Sequence, residues 1–164
     1  MDTLAIMSDN NEYRYRLTKI WDANKGTLAI IMLNPSKANV LKFDDTVMKI
    51  FNYAIDNDYG QLDIVNLFAY MSTDPTNLKY SDQRYESLND IYIKLVASQA
   101  EKLLIAWGPD KTKYVTRKRH VETLLIPYKS KLICFQDEKG VSPRHPLFLS
   151  DKWTLMNYNL MFAT

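Results

Sequence analysis

Each of four short apolar runs in this chain ends on, or leads into, residues able to do chemistry. Asn34-Pro35-Ser36 follows the run 28–33, and Asn66 sits inside the otherwise apolar "IVNLFA". Trp107 and Gly108 close the run 103–107, and Arg144-His145-Pro146 comes a short way after 131–135. A carboxamide offers a donor and an acceptor together, so it can orient a ligand or a water, and an imidazole adds a titratable donor. Gly108 would let a backbone or ligand approach closely. Gathered in one place, these groups make a polar pocket without a carboxylate pair. Each also has a plainer reading. Asn34 before proline reads as a turn residue, and His145 as a surface loop residue. Trp107 reads as core, and Gly108 as a strand-to-loop break. Asn66 has two readings of similar weight, a satisfied core amide or a ligand reader, because an unpartnered buried amide costs roughly 1–3 kcal/mol.

The elements that must position these residues are strands. The runs 28–33, 62–68, 103–107 and 131–135 are short, β-branched and free of alternation, which predicts strands covered on both faces. The segment 13–20, "YRYRLTKI", alternates and predicts a half-exposed strand. Helical spacing of Val47, Ile50, Phe51, Ala54 and Ile55 predicts a helix over 45–58, with Asp45 as its N-cap. A second helix is expected over 81–100, with Tyr85, Leu88, Tyr92, Leu95 and Val96 inward and Ser81 or Asp82 as cap. A weaker pattern predicts a third over 112–126, stopped by Pro127. Strand and helix in alternation give an α/β domain with a parallel sheet and right-handed crossovers. In such sheets ligands bind beyond the carboxyl ends of the strands, where the polar residues fall.

Composition narrows the classes. A chain of 164 residues fits one domain, 1–164, and neither repeat nor linker divides it. A net charge of +2 announces no overall nucleic-acid field, although a local patch could supply one. The longest apolar runs fall short of a membrane span, and a basic-then-apolar leader pattern is absent, so a cytoplasmic address without membrane contact is expected. One cysteine, Cys134, excludes an internal disulfide, and two distant histidines disfavour a zinc site, so no metal and no cofactor are expected. Four scattered glycines form no phosphate-cradling loop, which disfavours a kinase or triphosphatase.

The ordered set "LNPSKA", "DDT", "DIVNLFA", "AWG" and "RHPLFL" resembles the motif series of domain-of-unknown-function family 1643 of bacteria and phages. The same sites resemble, more distantly, the uracil-DNA glycosylase superfamily. That likeness implies a three-layer α/β/α fold around a mostly parallel four-stranded sheet, here with an N-terminal edge strand. It also implies roles. Asn34 would position the attacking water, followed by Pro35 and Ser36, and Asn66 would read the Watson–Crick edge of a base. Trp107-Gly108 resembles the pair closing the third strand. His145 would stabilise charge on the departing base, with Leu147, Phe148 or Leu149 as a wedge. Asn34 stands where many of those enzymes carry aspartate, so it would hold a water by hydrogen bond and not deprotonate it. Asp74 in "STDP" recurs near the pocket of the resembled family.

The chemistry so implied is hydrolysis of an N-glycosidic bond, assisted by electrostatic preorganisation. Phe43 and Phe68 are candidates to stack on the base. Lys111, Lys113, Arg117, Lys118 and Arg119 in "KTKYVTRKRH", with Arg144, could contact phosphates; the plain alternative is a solvated helix face. The expected partner is a nucleobase, a nucleotide or DNA. Two further readings stand beside the enzyme: a module that holds such a ligand uncleaved, and an interaction role. The apolar tail "WTLMNYNLMFAT" would complete the core or form a homodimer.

Overall fold

The continuous apolar runs form the centre of a sheet with helices on both sides. The computed structural model describes residues 1–37 and 44–163. Its strands are β1 (Asp2–Met7), β2 (Arg14–Ile20), β3 (Thr27–Met32), β4 (Gln61–Asn66), β5 (Lys102–Ile105), β6 (Leu132–Gln136) and β7 (Thr154–Asn157). They make one mixed sheet in the order β1-β2-β4-β3-β5-β6-β7. Pairing is parallel from β4 through β3 and β5 to β6, and antiparallel at both margins. The sheet is therefore larger than the four strands and one edge strand expected. β2 is not the half-exposed edge strand expected over 13–20 but a mostly buried one between β1 and β4, and β7 lies beyond β6. Both outermost strands are half-exposed, each being covered by a neighbouring strand on one edge only.

The side-chain period of two divides the core. On β3, Leu28, Ile30 and Met32 join Leu62 and Ile64 of β4 beneath Val47, Ile50 and Ala54 of α1 (Asp45–Asp56). Ala29 and Ile31 face the other way. They meet Ile93, Val96 and Ala97 of α2 (Gln83–Gln99) and Val121 and Leu125 of α3 (Val115–Leu125). Leu28 through Ile31 are all fully buried, which is why β3 shows no alternation. Cys134 packs in the same core, its thiol pushed up to about 11 by burial.

Helix details depart from the pattern at polar positions. Asp44, not Asp45, caps α1, its carboxylate accepting the Val47 N–H at 2.8 Å. The inner face of α2 is rotated from the expected stripe, and Leu88 and Leu95 lie outside, 46% and 39% exposed. Glu86 and Asn89 take the inward positions. Glu86 accepts the N–H groups of Ala69 and Tyr70, and Asn89 donates to the Asn66 and Leu67 carbonyls. Buried polar side chains with backbone partners are invisible to an apolar count.

Candidate functional site

At the carboxyl ends of β3 and β4, on the α1 side of the sheet, lies a half-open cleft of about 260 Å³. Asn34, Pro35, Ser36, Asn66 and His145 all line it. Strand parity explains the convergence. Asn66 follows Leu62 and Ile64 onto the α1 face, and Asn34 follows Met32.

Asn34 turns out to be both turn residue and cleft residue. Its Nδ2 donates to the Ser72 carbonyl at 2.8 Å, and the Ser72 N–H returns a bond to the Pro35 carbonyl at 3.1 Å. The turn after β3 is thus laced to the loop 72–74, which supplies Ser72 and Thr73 to the cleft. Asn66 is only 2% exposed, and its Oδ1 has no hydrogen-bond partner among the described residues. Leaving such a group unpaired costs about 1–3 kcal/mol, which a ligand donor would recover.

His145 opens a 3₁₀ turn, Pro146–Phe148, and its Nδ1 accepts the Leu147 N–H at 3.2 Å. In the neutral ring the proton therefore sits on Nε2, free to be donated. Burial holds the imidazole below its ordinary range, with the Asp44 charge opposing that shift and Arg144 adding to it. Lys49 of α1 donates to the Leu147 carbonyl and pins this turn beside the helix that Asp44 caps.

Strand pattern did not assign Arg14 and Asp44 to the cleft. Asp44 lines it with its oxygens held by the Val47 N–H and, at 2.9 Å, by the Ser36 hydroxyl. "FDDT" was the available signal, read one residue too late. Arg14 is placed by a β-bulge. The β1–β2 register pairs Ile6 with Arg16 and Met7 with Arg14, leaving Tyr15 unmatched. The extra residue reverses the alternation. Arg16 then reaches Asp63 and Gln99 on the α2 side, while Arg14 enters the cleft. Sequence periodicity would put both arginines on one face.

The remaining candidates among the described residues do not line the cleft. Trp107 is buried on the opposite face, edge-on to Tyr158 at 5.8 Å, and Gly108 makes the following turn at φ +96°. Phe68 meets Tyr114 edge-on at 5.3 Å. Asp74 caps the 3₁₀ turn Pro75–Tyr80, its carboxyl held below the usual range by the Thr76 N–H and hydroxyl. Arg144 lies 3.7 Å from Asp137 and 5.2 Å from the centre of the Trp153 ring. Phe43 falls outside the described residues.

Two cations of the basic segment, Arg117 and Lys118, turn inward, while Lys111, Lys113 and Arg119 are exposed. Arg117 donates to the Leu67 carbonyl at 2.7 Å and pairs with Asp90 at 2.6 Å. Lys118 is 1% exposed, bonded to the Asp110 carbonyl and facing the Phe162 ring. Arg119 donates to the Phe162 carbonyl at 3.0 Å. Lys111 and Lys113 stay exposed, as does Leu147. The C-terminal tail is bound to its own chain. β7 pairs with β6, and buried Glu122 accepts the Tyr158 hydroxyl at 2.5 Å and the N–H groups of Met161, Phe162 and Ala163. Among the described residues no three of His, Cys, Asp and Glu gather to hold a metal, and no helix is long and apolar enough to cross a membrane.

Fold and cleft together describe an α/β protein with a small polar pocket at its strand ends. The chain belongs to the family described as Protein of unknown function (DUF1643), whose model matches residues 14–147. No curated protein and no solved structure matches it.

Proposed function

We propose that the cleft recognises a nucleobase or nucleotide and hydrolyses an N-glycosidic bond. The observation that carries this reading is the buried, unpartnered Asn66 Oδ1 in a cleft shared with His145 and Asn34. A carboxamide there complements an O=C–N–H edge, with Oδ1 accepting the ring N–H and Nδ2 donating to the carbonyl. The resemblance to uracil-DNA glycosylases supports the same three positions.

In the reaction the bond from the sugar carbon to the base nitrogen breaks, and the electron pair leaves with the base. The Nε2–H of His145 donates to the carbonyl oxygen that gains negative charge. One such donor is typically worth about 10²–10³ in rate. A water held by the Asn34 amide oxygen bonds to the sugar carbon. Its proton passes to Asp44, the carboxylate that the cleft provides where Asn34 cannot serve as base, and the departing base takes a proton from solvent. Binding without cleavage is the second reading. One observation favours it: the Asn34 Nδ2 is already committed to the Ser72 carbonyl.

Oligonucleotides and nucleotides carrying uracil, mismatched or modified bases separate the two. Base release, detected by mass spectrometry and lost in Asn66→Ala and His145→Ala that remain folded, is the expected result. A raised melting temperature with intact ligand recovered supports the second reading. Neither release nor binding across the panel would remove both.

A further inference from the structure

The cleft contains a cation that no motif assigns. Arg14 is the only lysine or arginine among the described lining residues, and it is 7% exposed. The bulge at Tyr15 is what turns it there, away from the face that Arg16 serves. A guanidinium taken so far from water is costly unless acceptors surround it, and its planar fork matches a phosphate better than a point charge would. Asp44, which lines the same cleft, supplies part of the counter-charge. With five N–H donors, an arginine can serve such a neighbour and a ligand together. His145 Nε2–H and the Thr46 and Thr73 side chains leave the same cleft rich in donors.

We propose, resting on the base-recognition reading above, that the cleft takes a single nucleoside monophosphate, with its phosphate ester on Arg14 and its base on Asn66. A strand of nucleic acid could present the same phosphate chemistry. The surface argues for the single nucleotide, because two cations of the basic segment are turned inward and a third, exposed, is bonded to the chain's own carbonyl. Arg117 serves Leu67 and Asp90, Lys118 serves Asp110, and Arg119 serves Phe162. A polymer needs a track of cations along its backbone, whereas one nucleotide needs one.

Calorimetric titration tests this with inorganic phosphate, purine and pyrimidine nucleosides, their 5′-monophosphates, and a short single-stranded oligonucleotide. The proteins are the wild type, Arg14→Gln, Arg14→Lys and Asn66→Ala, with folding checked by circular dichroism. The expected result is a monophosphate bound at least tenfold more tightly than its nucleoside. Arg14→Gln abolishes that preference, and Arg14→Lys, the milder change should Gln prevent folding, reduces it. Asn66→Ala weakens nucleoside and monophosphate alike. Equal affinity for nucleosides and monophosphates would overturn the role of Arg14 while leaving base recognition standing. An oligonucleotide bound far more tightly than any monophosphate, with steep salt dependence, would overturn the single-nucleotide assignment. Phosphate binding that needs Arg14 but ignores both the base and Asn66 would uphold the anion site and remove the base reading. Silence from every probe would remove both.

Discussion

Asn66 and Glu122 are both buried polar side chains, and their surroundings could hardly differ more. Glu122, fully buried on α3, collects the Tyr158 hydroxyl and three successive backbone N–H groups of the tail. Asn66, at the end of β4, has a carboxamide oxygen with no partner among the described residues and faces an open cleft. The first arrangement holds the protein together. The second leaves an acceptor open at the cleft, where a donor would recover about 1–3 kcal/mol. Unpartnered atoms also occur among the described residues at Tyr15, Asn89, Arg117 and Arg144, but none of those four lines the cleft. An unpartnered acceptor that also faces a cleft, more than burial or polarity alone, separates candidate site from scaffold.

That contrast can be broken by substitution. Glu122→Ala should give the largest loss of stability, about 3–5 kcal/mol in urea denaturation, because four donors lose their acceptor at once. Affinity at the cleft should barely change in the folded fraction. Asn66→Ala should do the reverse, altering stability by less than about 1 kcal/mol, since no protein bond to its oxygen is lost, while removing ligand binding. A large destabilisation by Asn66→Ala, with binding retained, would make Asn66 a structural amide after all.

The smallest expected effect is the acid dependence of His145. Its folded value lies below the ordinary 6.5, chiefly through burial. The unfolded chain therefore binds the extra proton first as pH falls. The contribution of the neutral ring is complete above 6.5 and diminishes as pH drops from there through the folded value. His145→Gln should flatten that limb of a stability–pH curve, and an unchanged curve would mean the ring is not sheltered in solution.

Much of this was legible in the order of residues. The four central strands and three helices follow from apolar runs and helical spacing, and Asn34, Asn66 and His145 were placed together by the rule that strand ends share an edge. What stayed hidden has physical causes. The bulge at Tyr15 depends on how β1 pairs with β2, so Arg14 could not be located from the alternation of "YRYR". The true inner face of α2 is marked by Glu86 and Asn89, which polar–apolar patterning assigns to water. The basic run looked like a phosphate surface because charge in a sequence does not say which carbonyl or carboxylate it will meet. β1 and β7 lie at the margins, where a strand needs only half a core.

The most direct test is the side-chain carboxamide resonance of Asn66, followed by ¹⁵N NMR while nucleosides and nucleotides are added. A saturable shift of that resonance together with those of Asn34 and His145, the backbone amides of 161–163 staying still, is the expected outcome. Ligand-induced shifts confined to other surfaces, with the Asn66 signal unmoved at saturation, would contradict the account.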